Sequence, residues 1–387
     1  MKVGLLTGEY PPMQGGVGDH TRHLAHHLSS LGVEVGILTS CRAVPPDTTS
    51  GIAVYPVITG WRWQCWPQIT RWLDVYQPDV LHIQYQAAAY DLAGWINGLP
   101  WWLRLRQQRP RVVVTFHDLR VPYLFPKAGP LRRWSILVLA RYADGVITTN
   151  LEDEQVLRRY PWATHVWRIP LGSNIEVRPP DGYDQRNWRA RLGIRPTASL
   201  LAYFGFLNPS KGGEELVQTL DALVRNGYDA HLLMIGAQVG DVDATNQAYL
   251  GRVRQRIRAC GLEARVHWTG HIAPEEVSAG LLAADVVVMP YRDGVSFRRT
   301  TFIAALRHGC AVVTTSPAVK LSELQDGENV LLVPCGDVDA LTQAVTRLLQ
   351  DSTLATRLRI GAQALGRTFD WGHIAHQTYA LYQEVLA

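Results

Sequence analysis

Residues 2–39 read "KVGLLTGEYPPMQGGVGDHTRHLAHHLSSLGVEVGILT". "KVGLLT" is a short apolar run of strand character. "GEYPPMQGG" is rich in glycine and proline and reads as a loop. "GVGDHTRHLAHHLSSLG" carries its apolar residues at helical spacing, and "VEVGILT" is strand-like again. Strand, loop, helix and strand in so few residues is a βαβ unit, which demands a parallel sheet.

The same alternation continues outward. "PDVLHIQ" (78–84), "RVVVTFH" (111–117), "DGVITTN" (144–150) and "HVWRIP" (165–170) are further strands of the first half, mostly separated by helical segments. The second half starts the series again with "SLLAYFG" (199–205), "AHLLMIG" (230–236), "RVHWTG" (265–270), "DVVVMP" (285–290), "AVVTTS" (311–316) and "NVLLVP" (329–334). Near-continuous apolar strands are those buried on both faces by helices. The expectation is an α/β protein of two Rossmann-like, doubly wound domains facing a central cleft. The join falls near "LGSNIEVRPPDGYDQRN" (171–187), a stretch dense in Pro, Gly, Asn and Asp.

Composition agrees with two folded domains. The chain has 387 residues, of which 47% are hydrophobic and 19% charged, whereas one core rarely grows beyond ~250–300 residues. The net charge of +4 fits an anionic small ligand or surface and lacks the dense basic blocks of a nucleic-acid binder. No apolar run approaches the ~20 residues of a membrane span, and "MKVGLLTGEYPP" reads as a strand rather than a secretion signal. The five cysteines are scattered, with no CxxC pair. That pattern argues against a zinc or disulfide framework and for a reducing cytoplasm. Eight of the 13 tryptophans lie between Trp61 and Trp134. Indoles suit core edges, sugar-stacking surfaces and membrane interfaces alike.

Ligands of doubly wound sheets sit beyond the carboxyl ends of the strands, so the residues there carry the functional reading. In "GEYPPMQGGVGDH" (8–20), Gly15 and Gly16 permit close backbone approach, and the helix that begins there, with Asp19 in its first turn, offers N–H groups to an anion. His117 ends "VVVTFH" and can donate to a polar ligand or act as acid or base. Lys211 stands just before a helix that starts near Gly213, a good position for a diphosphate clamp. In "DGVSFRRTTFIAALRHG" (293–309), Arg298, Arg299, Thr300 and Thr301 converge on the start of a helix and make an anion site with Ser296 nearby. Two D-x-D triplets occur, Asp241–Asp243 and Asp337–Asp339. The second opens a helix, where aspartate caps, and no metal site is expected from either.

Taken in order, "GEYPPMQGGVGDHTRHLAHHLSSLGVEVGILT", "PDVLHIQY", "VVVTFHD", "FGFLNPSKGGEEL", "VHWTGHIAPEEVSAGLLAADVVVMPY" and "HGCAVVTTS" resemble a group 1 (family 4) glycosyltransferase of the GT-B fold. The resemblance implies a nucleotide-sugar donor held mainly by the second domain, transfer with retention of anomeric configuration, and no cofactor beyond the donor, which is a substrate. It implies domains of 1–175 and 176–370, with a final helix, 371–387, returning to the first. It places Gly15 and Gly16 against the donor phosphate and sugar, His117 beside the transferred sugar and Lys211 on the diphosphate. The chain departs from the family at Phe206, where an arginine is usual, and at Ser296 and Ala304, where two glutamates eight positions apart are usual. Asp285 and Asp293 share that spacing, but Asp285 begins a strand and cannot face the same ligand. The reading is therefore a divergent, cytoplasmic glycosyltransferase in which Arg298 and Arg299 replace part of the donor grip. A sugar-nucleotide epimerase or phosphorylase, or a non-catalytic sugar-nucleotide binder, are the alternatives. The expected acceptor is a glycan, a lipid-linked sugar or a small molecule. "WRWQCWPQITRW" and "WINGLPWWLRLRQQR" mix Trp with Arg, which fits either peripheral contact with anionic lipid or packing within the helix layer.

Overall fold

The computed structural model describes residues 1–13, 15–43, 51–119, 129–236 and 244–387. The chain forms two compact units, Met1–Gly172 with Trp371–Ala387, and Ser173–Asp370.

The first unit is built on seven strands: β1 (Lys2–Thr7), β2 (Glu34–Ser40), β3 (Ala53–Ile58), β4 (Val80–Tyr85), β5 (Arg111–Phe116), β6 (Gly145–Thr148) and β7 (Val166–Arg168). All pairings are parallel, in the order β3-β2-β1-β4-β5-β6-β7. The order reverses between β1 and β4, where Leu6 pairs with Leu38 on one side and Ile83 on the other. A crevice forms above such a reversal because the connecting helices depart to opposite faces. The strand β3 is absent from the sequence reading. It carries Pro56 and is only partly buried, so its apolar signal is weak. An edge strand tolerates a proline because one side of it needs no ladder donor.

Alternate residues of these strands face two cores. One joins Leu6, Leu81, Ile83 and Val114 to Trp61, Trp72 and Tyr90. The other joins Val3, Leu5, Ile37 and Val113 to Leu24 and Leu28 of the first helix (Gly16–Ser30) and to Trp371, Ile374 and Leu381 of the last helix (Trp371–Leu386). The end of the chain thus completes a face of the first unit. Every residue of β4 is buried, and two of them, His82 and Gln84, are polar.

The second unit has six parallel strands: β8 (Ser199–Phe204), β9 (Ala230–Ile235), β10 (Val266–Trp268), β11 (Val286–Met289), β12 (Val312–Thr315) and β13 (Leu331–Val333). Their order is β10-β9-β8-β11-β12-β13, so the reversal lies between β8 and β11. All six were legible as apolar runs. Asp285 is spent at the amino end of this pair. Its carboxylate accepts from the Leu200 N–H at 2.8 Å and from buried Arg189 at 2.7 Å. It therefore anchors β11 to β8 at the end remote from Asp293.

Candidate active site

In the first unit the loop after β1 leads to the helix Gly16–Ser30. The first free N–H groups of that helix were expected to be open to a donor phosphate. They are not: Glu9 Oε1 accepts from Val17 N at 3.1 Å and from Gly18 N at 3.4 Å. A carboxylate at a helix N-terminus is favourable for the same reason a phosphate is. Gly15 is required by this arrangement, since a Cβ there would lie 2.0 Å from Glu9 Oε1. A Cβ on Gly16 would meet nothing within 4 Å, so the approach past Gly16 stays open. Asp19 is exposed and faces Arg22 at 3.7 Å.

His117, immediately after β5, donates from Nε2 to Gln84 Oε1 at 2.9 Å. Gln84 Nε2 lies 3.2 Å from His82 Nε2. His82 in turn reaches Tyr382 Oη at 2.6 Å through Nδ1 and Thr115 Oγ1 at 2.7 Å through Nε2. The network runs from the last helix, through β4, to the end of β5. Burial pushes His82 down to about 3 and His117 down to about 4, because a charged imidazole is disfavoured away from water. His20 is held well below its ordinary value by burial and by its histidine neighbours. Its ring meets that of His117 edge-on at 4.7 Å and that of Trp371 at 4.9 Å. His117 is thus a neutral ring at physiological pH, with its Nε2 proton committed to Gln84 and its Nδ1 lone pair left as an acceptor.

In the second unit, the ends of β8 and β11 bring two cations to one ring. Lys211 Nζ lies 5.1 Å from the centroid of Tyr291, and Arg299 Cζ lies 4.0 Å from it. The packing of Gly212 sets this up. It has a φ of 70°, and a Cβ on it would lie 1.9 Å from Pro290 O. The backbone link from Arg292 N to Ser210 O at 2.9 Å closes the same contact. Burial, reinforced by the charge of Arg299 and opposed by Asp293, lowers Lys211 to about 8. Asp293 pairs with Arg299, whose Nε is buried without a hydrogen bond. The helix Thr300–Arg307 begins beside Arg299 with no side-chain cap. Thr301 Oγ1 lies 3.4 Å from Tyr291 Oη. Ser296, Arg298 and Thr300 are half-buried around this point, and Ala304 is fully buried in the helix. Two cations, uncapped helix N–H groups and one carboxylate make a net-positive cluster suited to an anion.

Asp337 caps its helix through Ala340 N at 2.9 Å, and Asp241–Asp243 lies outside the described residues. Among the described residues no three His, Cys, Asp or Glu side chains converge as metal ligands do. Sequence reasoning missed Glu9, His82, Gln84, Tyr291 and Tyr382. Two signals were present: the polar His82 and Gln84 inside the otherwise apolar β4, and Tyr291 directly after β11 at the point of strand reversal.

Comparison with known proteins matches residues 15–172 to the glycosyl transferase 4-like domain and residues 198–351 to the glycosyl transferases group 1 family. The chain is 26% identical to the phosphatidyl-myo-inositol mannosyltransferase of Mycobacterium leprae, over 100% of this chain and 97% of that protein. It is likewise 26% identical to the D-inositol 3-phosphate glycosyltransferase of Corynebacterium glutamicum, again over 100% and 97%. Among solved structures it superposes on sucrose-phosphate synthase from Thermosynechococcus elongatus with a TM-score of 0.73 at 23% identity, covering 99% and 98% of the two chains. It superposes equally, with a TM-score of 0.73, on Anabaena HepE in complex with UDP and glucose, at 18% identity and 99% and 100% coverage.

Proposed function

This chain belongs to the group 1 glycosyltransferases and has their GT-B fold; from that premise we propose how its own residues serve transfer from a nucleotide-sugar with retention of configuration. The observation that carries the reading is the pair of cations, Lys211 and Arg299, over Tyr291 at the β8/β11 reversal. The bond that breaks in such a transfer leaves negative charge on the diphosphate. Fixed cations and helix N–H groups stabilise that charge as it develops, without reorganising. Lys211 and Arg299 supply the charge, and the uncapped start of the Thr300–Arg307 helix supplies dipoles. No metal takes part in this scheme. Arg299 takes over donor contacts that the family's glutamates make, and Asp293 balances it until the phosphate arrives.

His117 is assigned to the transferred sugar. A neutral imidazole with a free Nδ1 accepts a hydrogen bond from a sugar hydroxyl and adds no charge to the reaction centre. Gly16 leaves an open approach within the first unit, where the Glu9 carboxylate holds the Val17 and Gly18 N–H groups. The acceptor is assigned to the first unit and is lipid-linked. Trp63, Trp95, Trp101 and Trp134 of that unit are all exposed, and Arg62, Arg71 and Arg133 are exposed among them, a composition that rests on anionic headgroups. Among the described residues no helix is long and apolar enough to cross a membrane, so contact would be peripheral.

A panel of UDP-, GDP-, ADP- and TDP-sugars tests this. Slow hydrolysis of one of them, lost in Lys211→Ala with the fold intact, supports it. An epimerised donor, or binding without any turnover in the presence of candidate acceptors, would replace it with an epimerase or a binding protein.

A further inference from the structure

Away from the strand ends, the first unit carries a groove of about 710 Å³ with four indoles in its walls. Trp66, Trp95, Trp101 and Trp134 line it. Three of them are open to water, Trp134 at 66%, Trp95 at 48% and Trp101 at 45%. The wall is nonetheless built. Trp66 stacks on Trp102 at 5.2 Å, meets Trp95 edge-on at 6.0 Å and donates from Nε1 to Trp95 O at 3.0 Å. Rings fixed in this way lose little entropy when something covers them.

At the inner end stands Asn97, only 3% exposed. Its Nδ2 donates to Ser135 Oγ at 2.9 Å, while its Oδ1 is buried with no partner. A buried, unmatched amide oxygen is costly, and a donor entering the groove would relieve that cost. Gly94, Asn97 and Ser135 also line a second cavity, of about 80 Å³, that reaches Tyr85 and Ala87. Tyr85 directly follows Gln84, the partner of His117, but consecutive strand residues face opposite sides of the sheet. The groove therefore lies on the Leu81, Ile83 and Tyr85 side of the sheet, opposite the side that carries His82 and Gln84. No carboxylate lines it. Its one charged wall residue, Arg141, makes no ion pair with any described residue; it leans toward the Trp162 ring at 5.9 Å.

We propose that this groove binds the hydrocarbon chain of an anionic, hydroxyl-bearing amphiphile. The chain lies against the four indoles, a hydroxyl near the head of the chain donates to Asn97 Oδ1, and the anionic group meets Arg141. Pockets with largely apolar walls and a few placed polar groups recognise amphiphiles in this manner. A free sugar stacks its C–H face on an indole but brings no anionic group to Arg141. A flat bilayer surface would cover the exposed rings and leave Asn97 unmatched. That the amphiphile is the sugar acceptor rests on the transferase reading given above.

The test is calorimetry on the full chain with a single-chain lysophosphatidylglycerol held below its micellar concentration. Saturable binding with a negative heat-capacity change is expected. Trp101→Ala/Trp134→Ala should weaken it at least tenfold. Asn97→Ala should weaken it by roughly tenfold, the cost of one hydrogen bond to a buried group. Trp134→Ala alone, at the most exposed ring, guards against misfolding of the double variant and should also weaken binding. Equal affinity for the chainless glycerophosphoglycerol would overturn the proposal. So would saturable binding of maltose at the same residues, binding to lysophosphatidylglycerol unchanged by the tryptophan variants, or binding to vesicles alone. The measurement contains no donor sugar. Binding kept while turnover is absent therefore counts against the transferase reading, and turnover kept while binding is absent counts against the groove.

Discussion

Lys211 keeps its proton against burial and against a guanidinium on the same aromatic ring, and the result is a folded-state value of about 8 instead of 10.5. An arriving diphosphate reverses both penalties and binds best to the charged form. Donor affinity should be level below pH 8 and fall about tenfold per pH unit above it; a titration of affinity against pH reads this directly, and a flat profile to pH 10 would exclude Lys211 as a diphosphate ligand. The same shift makes a stability statement. Between pH 8 and 10.5 the unfolded chain binds a proton that the folded chain has released, so the strain of burying this lysine is relieved as pH rises through that window. Ala304 bears on the missing acids. It is 0% exposed, so Ala304→Glu should cost several kcal/mol, as burying an unpaired carboxylate does, whereas Ser296→Glu, at a half-buried position, should be tolerated; melting temperatures of the two variants check the contrast. Lys211 was legible because a lysine before a helix at a strand end is a known phosphate geometry. Tyr291 was not, since an aromatic ring after an apolar strand looks like core until its two cations are seen.

The strands were legible at the scale of elements because burial on both faces leaves nearly unbroken apolar runs, and β3 escaped because its edge position removed that pressure. The partnership of the last helix with the first unit's sheet was not legible from periodicity, which gives a helix an apolar face but not the face it meets. That partnership has a specific joint, the 2.6 Å contact between Tyr382 Oη and His82 Nδ1. Tyr382→Phe should destabilise the protein by about 1–3 kcal/mol, since it strands a buried ring nitrogen. If the network orients His117, it should also lower kcat more than it raises KM. The turn at Gly212 is a second joint. Gly212→Ala combines a φ of 70° with a Cβ 1.9 Å from Pro290 O, so it should displace Lys211 and abolish donor binding while the first unit stays folded; circular dichroism with nucleotide calorimetry separates the two effects.

The two units divide the titrating histidines unevenly in depth. His82 and His117, both inside the first unit, sit at about 3 and about 4 when folded. Unfolded, each takes a proton near pH 6.5, so the folded state is at full stability above that value and loses up to about 1.4 kcal/mol per pH unit per group as the pH falls through the window toward 4. The melting temperature should drop steadily from pH 6.5 to 4, and His117→Gln should make that drop shallower; an unchanged slope would show that His117 does not resist protonation. The units also differ in continuity. Residues 173–370 are one uninterrupted segment, while the first unit is assembled from 1–172 and 371–387. A fragment of 173–370 should fold alone and bind nucleotide, and a fragment of 1–172 should not reach a native fold unless the last helix is supplied as a peptide, a difference that amide exchange measures.

This continuity has a consequence for how the protein is born. A ribosome delivers residues 173–370 complete before it delivers the helix that closes the sheet begun at Lys2. The second unit can therefore mature on the ribosome, while the first must wait, its helix-binding groove of Val3, Leu5 and Val113 uncovered, until residues 371–387 have emerged. The part made first is the part finished last. Chains halted before residue 371 should show protected strands in the second unit and a protease-sensitive first unit, and supplying residues 371–387 should protect the first unit as well.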